Sequence, residues 1–136
     1  MVNSQLRVTR RALDEMIAAA WHAKPSECCG VLLGTAGAIT ETAPTRNLAD
    51  DPNRFLIDPE EHIVARREGR QRGLELVGFY HSHPHSPAVP SATDLAEAAY
   101  PGHFHAIVSL VAEPALVRLY RLESGRFVEV PFVTES

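Results

Sequence analysis

The run 74–83, "LELVGFYHSH", sets the terms for any fold this chain can adopt. It is densely apolar and free of proline, which reads as a central β-strand with both faces covered. Pro84 follows and ends it, because proline has no N–H to give to a sheet ladder.

The other segments take their places around that strand. A short N-terminal strand is expected around Leu6 to Val8, followed by a helix capped by Thr9. Its stripe of Leu13, Met16, Ile17, Ala20 and Trp21 has helical spacing and reads as core. Pro25 and Ser26 break the helix, and "CCGVLLG" with "AITETA" reads as a strand pair turning at Gly34 to Gly37. "NRFLID" is a further strand candidate, and a second helix is expected over 59–72, with Asp58 as cap, Pro59 in the first turn and Gly73 beyond its end. After a proline-bearing loop to Pro90, "SATDLAEAAY" begins a short helix with Ser91 as cap and Asp94 in its first turn. The tail reads as three strands joined by short turns: "FHAIVSLVA", "ALVRLYRLE" and "RFVEVPFV". This order predicts an α/β fold, a mixed, mostly antiparallel sheet flanked by helices. At 136 residues, with no repeat and no Gly/Ser linker, the chain is expected to form a single domain over 1–136.

Composition narrows the function. A formal net charge of −4 argues against nucleic acid, whose binding needs a concentrated surplus of Lys and Arg. The cluster Arg66, Arg67, Arg70 and Arg72 is interleaved with Glu60, Glu61 and Glu68 nearby and reads as a solvated helix face. The first residues lack a signal-peptide stretch and no run is long enough to span a bilayer, so no membrane partner and a cytoplasmic location are expected. Cys28 and Cys29 are adjacent and cannot staple distant segments; they read as small, reduced core residues.

The polar cluster after the apolar run carries the chemistry. His81 and His83 are two apart at a strand end, so both imidazoles point to one side while Ser82 faces the other. Asp94, in the first turn of the next helix, can return a carboxylate to that side. Two nitrogens and one oxygen leave a fourth tetrahedral position open, which is the pattern of catalytic rather than structural zinc. The same residues also read as an ordinary helix start behind a polar loop. His103 and His105 repeat the spacing without a following carboxylate and read as a structural pair; His85 lies beyond Pro84, and His22 and His62 read as ordinary helix residues.

With these residues in view the chain resembles the JAMM, or MPN+, metalloprotease family: an upstream glutamate, Glu27, then "HSHP" at 81–84 and "SATD" at 91–94. "ECCGVLLG" after an amphipathic helix and "LVGFYHSHP" extend the likeness through most of the chain. The resemblance implies a cytidine-deaminase-like sandwich and one Zn2+ per chain held by His81, His83 and Asp94. It implies Glu27 as the general base and Ser91 as the residue that hydrogen-bonds the developing oxyanion. No pattern in the sequence selects Glu27 among the other glutamates. The compact prokaryotic members it resembles imply a peptidase or isopeptidase cutting after the Gly-Gly tail of a ubiquitin-like sulfur-carrier protein or its conjugate, with a homodimer left open.

Two other readings stand beside this one. A zinc deaminase would need His-x-Glu and Pro-Cys-x-x-Cys, which "HSH" and "ECCG" do not supply. An MPN-type interaction scaffold would keep the fold and lose ligands, yet every motif position is filled. Residues 45–54 and 85–90 are irregular enough to contact substrate but read more simply as connectors.

Overall fold

Thr9 ends the first strand and caps the first helix with one side chain: its Oγ accepts the Ala12 N–H at 3.1 Å and donates to the Thr40 carbonyl at 2.8 Å. The elements in order are β1 (Leu6–Thr9), α1 (Arg10–Ala23), β2 (Cys29–Thr35), β3 (Ala38–Thr45), α2 (Pro59–Gln71), β4 (Glu75–His83), β5 (Phe104–Ser109), β6 (Leu116–Glu123), β7 (Arg126–Glu129) and β8 (Phe132–Glu135). This is a computed structural model, and it describes residues 5–35, 37–92, 94 and 102–136. The helix expected from Ser91 to Tyr100 lies outside the described residues except for Ser91, Ala92 and Asp94, the last two with helical backbone.

The strands form one mixed sheet in the order β7-β6-β5-β4-β2-β3-β1-β8. β4 is central as expected, antiparallel to β2 and parallel to β5. Gly78 opens the pairing with Phe104, and a Cβ there would run into the Phe104 carbonyl, so only glycine lets the two strands meet at this level. Helices cover opposite faces, as the alternation of strand side chains requires. Leu13, Met16 and Ala20 of α1 pack with Leu32, Tyr80 and Val108, whereas Ala65 of α2 packs with Val31, Leu33 and Phe79. Each large apolar side chain so buried contributes about 1.5–3 kcal/mol. Asp58 caps α2 by accepting the Glu60 N–H at 2.9 Å, and Gly73 follows with φ +79, a left-handed turn that suits glycine.

Three expectations need correction. Trp21 is not core: it is 45% exposed, with Lys24 Nζ 5.1 Å from its ring centroid. The buried face of α1 is set by Ala12, Leu13, Met16 and Ala20, and at 100° per residue Trp21 stands roughly 120° round from its centre. "NRFLID" is not a strand; only Ile57 makes a bridge, to Asn47. The Asn47 side chain takes the Arg54 carbonyl and the Leu56 N–H, so local side-chain bonds replace a ladder. "RFVEVPFV" is two strands, because Pro131 divides it.

That division shapes the sheet. β7 ends at Glu129 and β8 begins at Phe132 on the opposite edge. Three residues reach about 10 Å, while eight strands laid flat at about 4.8 Å would put the edges more than ~30 Å apart. The sheet must therefore coil until its edges approach, and Leu6, Val8, Val130 and Phe132 join α1 in one core. Among the described residues no helix is long and apolar enough to cross a membrane.

Candidate metal centre

β4 delivers its last residues to the α2 side of the sheet two at a time. His81 and His83 share that face with Phe79, while Tyr80 and Ser82 turn to the α1 side. There His81 Nε2 and His83 Nε2 are 3.1 Å apart, and Asp94 Oδ2 lies 3.2 Å from the first and 3.0 Å from the second. Tetrahedral zinc with bonds of about 2.0–2.1 Å holds neighbouring ligand atoms roughly 3.3 Å apart. The triangle is of that size, and its donors are of the type a zinc ion takes. His81, His83 and Asp94 are also the group of side chains that could hold a metal among the described residues.

The tautomer of His83 follows from its outer bond. Its Nδ1 lies 2.8 Å from the Pro87 carbonyl, which can only accept, so Nδ1 carries the proton and Nε2 offers its lone pair inward. The loop that supplies this carbonyl is pinned at both neighbours: Ser109 Oγ donates to the Ser86 carbonyl at 2.6 Å and Tyr120 Oη to the Ala88 carbonyl at 2.6 Å. On the other flank, Phe55 stacks on His81 with ring centroids 4.3 Å apart and planes 16° apart. Sequence reading missed Phe55 and Pro87. Pro87 lies in the irregular segment 85–90, whereas Phe55 sits in "NRFLID", which reads as a strand and gives no signal of a contact with His81.

Glu27 reaches the site on the segment leading into β2. Cys29 opposes His81, and continuing that antiparallel register by two residues sets Glu27 opposite His83 on the same face. Glu27 is buried, and its charge acts on His83. Ser91 is the cap expected: its Oγ accepts the Asp94 N–H at 2.9 Å while its own N–H donates to Asp94 Oδ2 at 2.9 Å. The hydroxyl proton of Ser91 is left to donate elsewhere.

The remaining candidates fall away from the triangle. Cys28 and Cys29 are free and buried, and Cys29 Sγ lies near the Arg46 carbonyl and Thr45 Oγ, so no thiol joins the ligands as a deaminase site would need. His105 packs against Phe79 and Phe127, His103 against Phe79, and His85 and His22 are exposed. Arg72, from the basic cluster, is engaged with Glu41 at 2.7 Å.

Electrostatics hold the group ready for a cation. Burial works against the Asp94 carboxylate, but its contacts with the two imidazoles and the Ser91 N–H outweigh it and keep the carboxyl well below its usual range. Burial pushes His81 down, only partly offset by Asp94. For His83 burial is outweighed by Asp94, the Pro87 carbonyl and the Glu27 charge, and its pKa rises. An ionised carboxylate facing two ring nitrogens in a poorly solvated site is a cluster of negative potential that a divalent ion would relieve.

The family model described as prokaryotic homologs of the JAB domain matches residues 9–123. The chain belongs to the prokaryotic JAB family. A desampylase from Haloferax volcanii is 40% identical over 119 residues, 80% of this chain and 84% of the relative. A CysO-cysteine peptidase from Mycobacterium tuberculosis is 31% identical over 123 residues, 88% and 84% of the two chains. A solution structure of a protein from Desulfitobacterium hafniense superposes with a TM-score of 0.87 at 30% identity, covering 96% of this chain and 92% of the other. The JAB-family fold is thus the one described above, and the chain is a peptidase of the JAMM class.

Proposed function

We propose that this JAB-family chain is a zinc-dependent isopeptidase that hydrolyses the bond after the C-terminal Gly-Gly tail of a ubiquitin-like sulfur-carrier conjugate. The observation that carries the reading is the triangle of His81 Nε2, His83 Nε2 and Asp94 Oδ2, with edges of 3.0–3.2 Å. Relatives named desampylase and CysO-cysteine peptidase support the substrate class.

His81, His83 and Asp94 would hold the zinc. When bound there, zinc polarises the scissile carbonyl and makes a water acidic enough to lose a proton near neutral pH. Glu27, opposite His83, accepts that proton and returns it to the leaving amine, a role typically worth about 10² to 10⁴ in rate. Ser91 turns its free hydroxyl proton toward the developing oxyanion, and its contact to Asp94 keeps it beside the ligand set.

β4 is paired on both sides, so a substrate tail cannot add to a sheet edge at this point. It must lie instead between the loop carrying Phe55 and the loop carrying Pro87, each of which touches a zinc histidine. Glycine suits a passage walled by an aromatic ring and a fixed backbone.

The test is to load the protein with zinc, incubate it with a carrier conjugate ending in Gly-Gly, and read product masses. Release of the carrier with an intact Gly-Gly terminus is expected. No cleavage by metal-loaded protein would end the proposal.

A further inference from the structure

Asn47 occupies a position that neither its sequence context nor the family motif marks. Its Nδ2 donates to the Glu27 carbonyl at 3.1 Å and to the Arg54 carbonyl at 2.9 Å. Its Oδ1 accepts the N–H groups of Ala49 and Leu56, both at 2.9 Å. The amide makes all four bonds its shape allows, and turning it over would set N–H against N–H and oxygen against oxygen. One side chain therefore closes the loop on itself and joins the closed loop to Glu27.

The loop holds Glu27 by the other end of the residue as well. The Glu27 N–H donates to the Pro52 carbonyl at 3.1 Å, so both backbone groups of Glu27 are bonded to the segment that Asn47 organises. β2 begins only at Cys29, leaving Glu27 outside the ladder that would otherwise fix its backbone. Cys28 alone separates it from β2 and is held by Ser82 on both its backbone groups, whereas Glu27 has no ladder bond of its own, so its φ and ψ are fixed by what else bonds its N–H and carbonyl. The Asn47 loop does so.

We infer that Asn47 is the positioning residue for Glu27: through its amide bond to the Glu27 carbonyl it sets where the carboxylate stands relative to the zinc triangle. This rests on the reading of Glu27 as the base. The rival is that Asn47 merely structures a loop, and because that loop also presses Phe55 on His81, a change there could act through the metal instead. The two are separable by what moves together.

The discriminating variant is Asn47→Asp, which keeps Oδ1 for Ala49 and Leu56 but loses the donor to the Glu27 carbonyl together with the one to the Arg54 carbonyl, so its effect on the loop is read separately through zinc affinity, which follows Phe55 on His81. It should retain one zinc per chain and unchanged zinc affinity in competition with a chromophoric chelator. Its KM should stay within about twofold while kcat falls about 10- to 100-fold, the scale of a misplaced catalytic group. In a Glu27→Gln background the same change should remove almost nothing further, since the two residues act as a unit. An unchanged kcat, a loss that tracks zinc affinity, or an undiminished loss in the Glu27→Gln background would overturn the inference. If the wild-type protein cleaves no conjugate, the proposed function fails, and the inference is then decided by amide hydrogen exchange. Asn47→Asp and Asn47→Ala should each speed exchange of the Glu27 N–H by more than about tenfold, loss of a local closed structure; protection equal to wild type overturns it.

Discussion

Ser82 Oγ accepts the Cys28 N–H at 2.8 Å, a buried bond that joins the strand bearing His81 and His83 to the residue beside Glu27. The reverse bond of the pair is backbone, from the Ser82 N–H to the Cys28 carbonyl at 3.1 Å. At this last rung a side chain stands in for a carbonyl of the ladder. The central serine of "HSH" thus serves the site from the face opposite the two imidazoles.

Replacing it tests that linkage. Ser82 is 0% exposed, so Ser82→Ala leaves a buried N–H without its acceptor, and unfolding stability should drop by about 1–3 kcal/mol. Urea unfolding with an unchanged m-value would read this; a drop under about 0.5 kcal/mol would show that water or backbone takes over.

Glu27→Gln should separate binding from chemistry. The amide keeps the shape of the side chain and cannot collect a proton, so kcat should fall by about 10² to 10⁴. Zinc content should stay at one per chain. Undiminished zinc-dependent hydrolysis would remove Glu27 from the base role.

His83→Ala should lose the metal as well as the activity, since it removes a ligand and leaves Asp94 Oδ2 beside His81 alone. Binding to the folded state only adds about 2.7 kcal/mol at a hundredfold excess over Kd. Chelator should therefore lower the Tm of the wild type by several degrees and leave that of His83→Ala unmoved. Equal shifts in both would place the metal elsewhere.

Acid should loosen the join between α2 and β3. Arg72 hydrogen-bonds both carboxylate oxygens of Glu41, at 2.9 and 2.7 Å, and these bonds lower the Glu41 pKa against the opposing effect of burial. A depressed folded-state value means the contribution is present above the ordinary glutamate pKa of about 4.3 and is lost as pH falls through the folded value. Arg72→Met should weaken this part of the acid dependence of stability below that pH. Superimposable acid limbs for the two proteins would show the pair to be inert.

The elements whose signals are local are legible in the sequence. Thr9 and Asp58 cap where their side chains can reach the next turn, and His81 and His83 share a face because strand geometry has a period of two. Ser91 and Asp94 form their reciprocal contact within one helical turn. Trp21 was misread because helical spacing defines a stripe but not its centre, which depends on how the sheet curls around α1.

By itself, then, the order of residues determined which side chains could converge from the end of β4 and the turn after it, because those contacts span few residues. Tertiary structure alone decided that Glu27 stands opposite His83, that Asn47 grips it and that Phe55 covers His81. Each of these depends on strand register or on a loop returning from 20 or more residues away. No local propensity encodes such pairings; they form when burial of the whole sheet outweighs the entropy of bringing distant segments together.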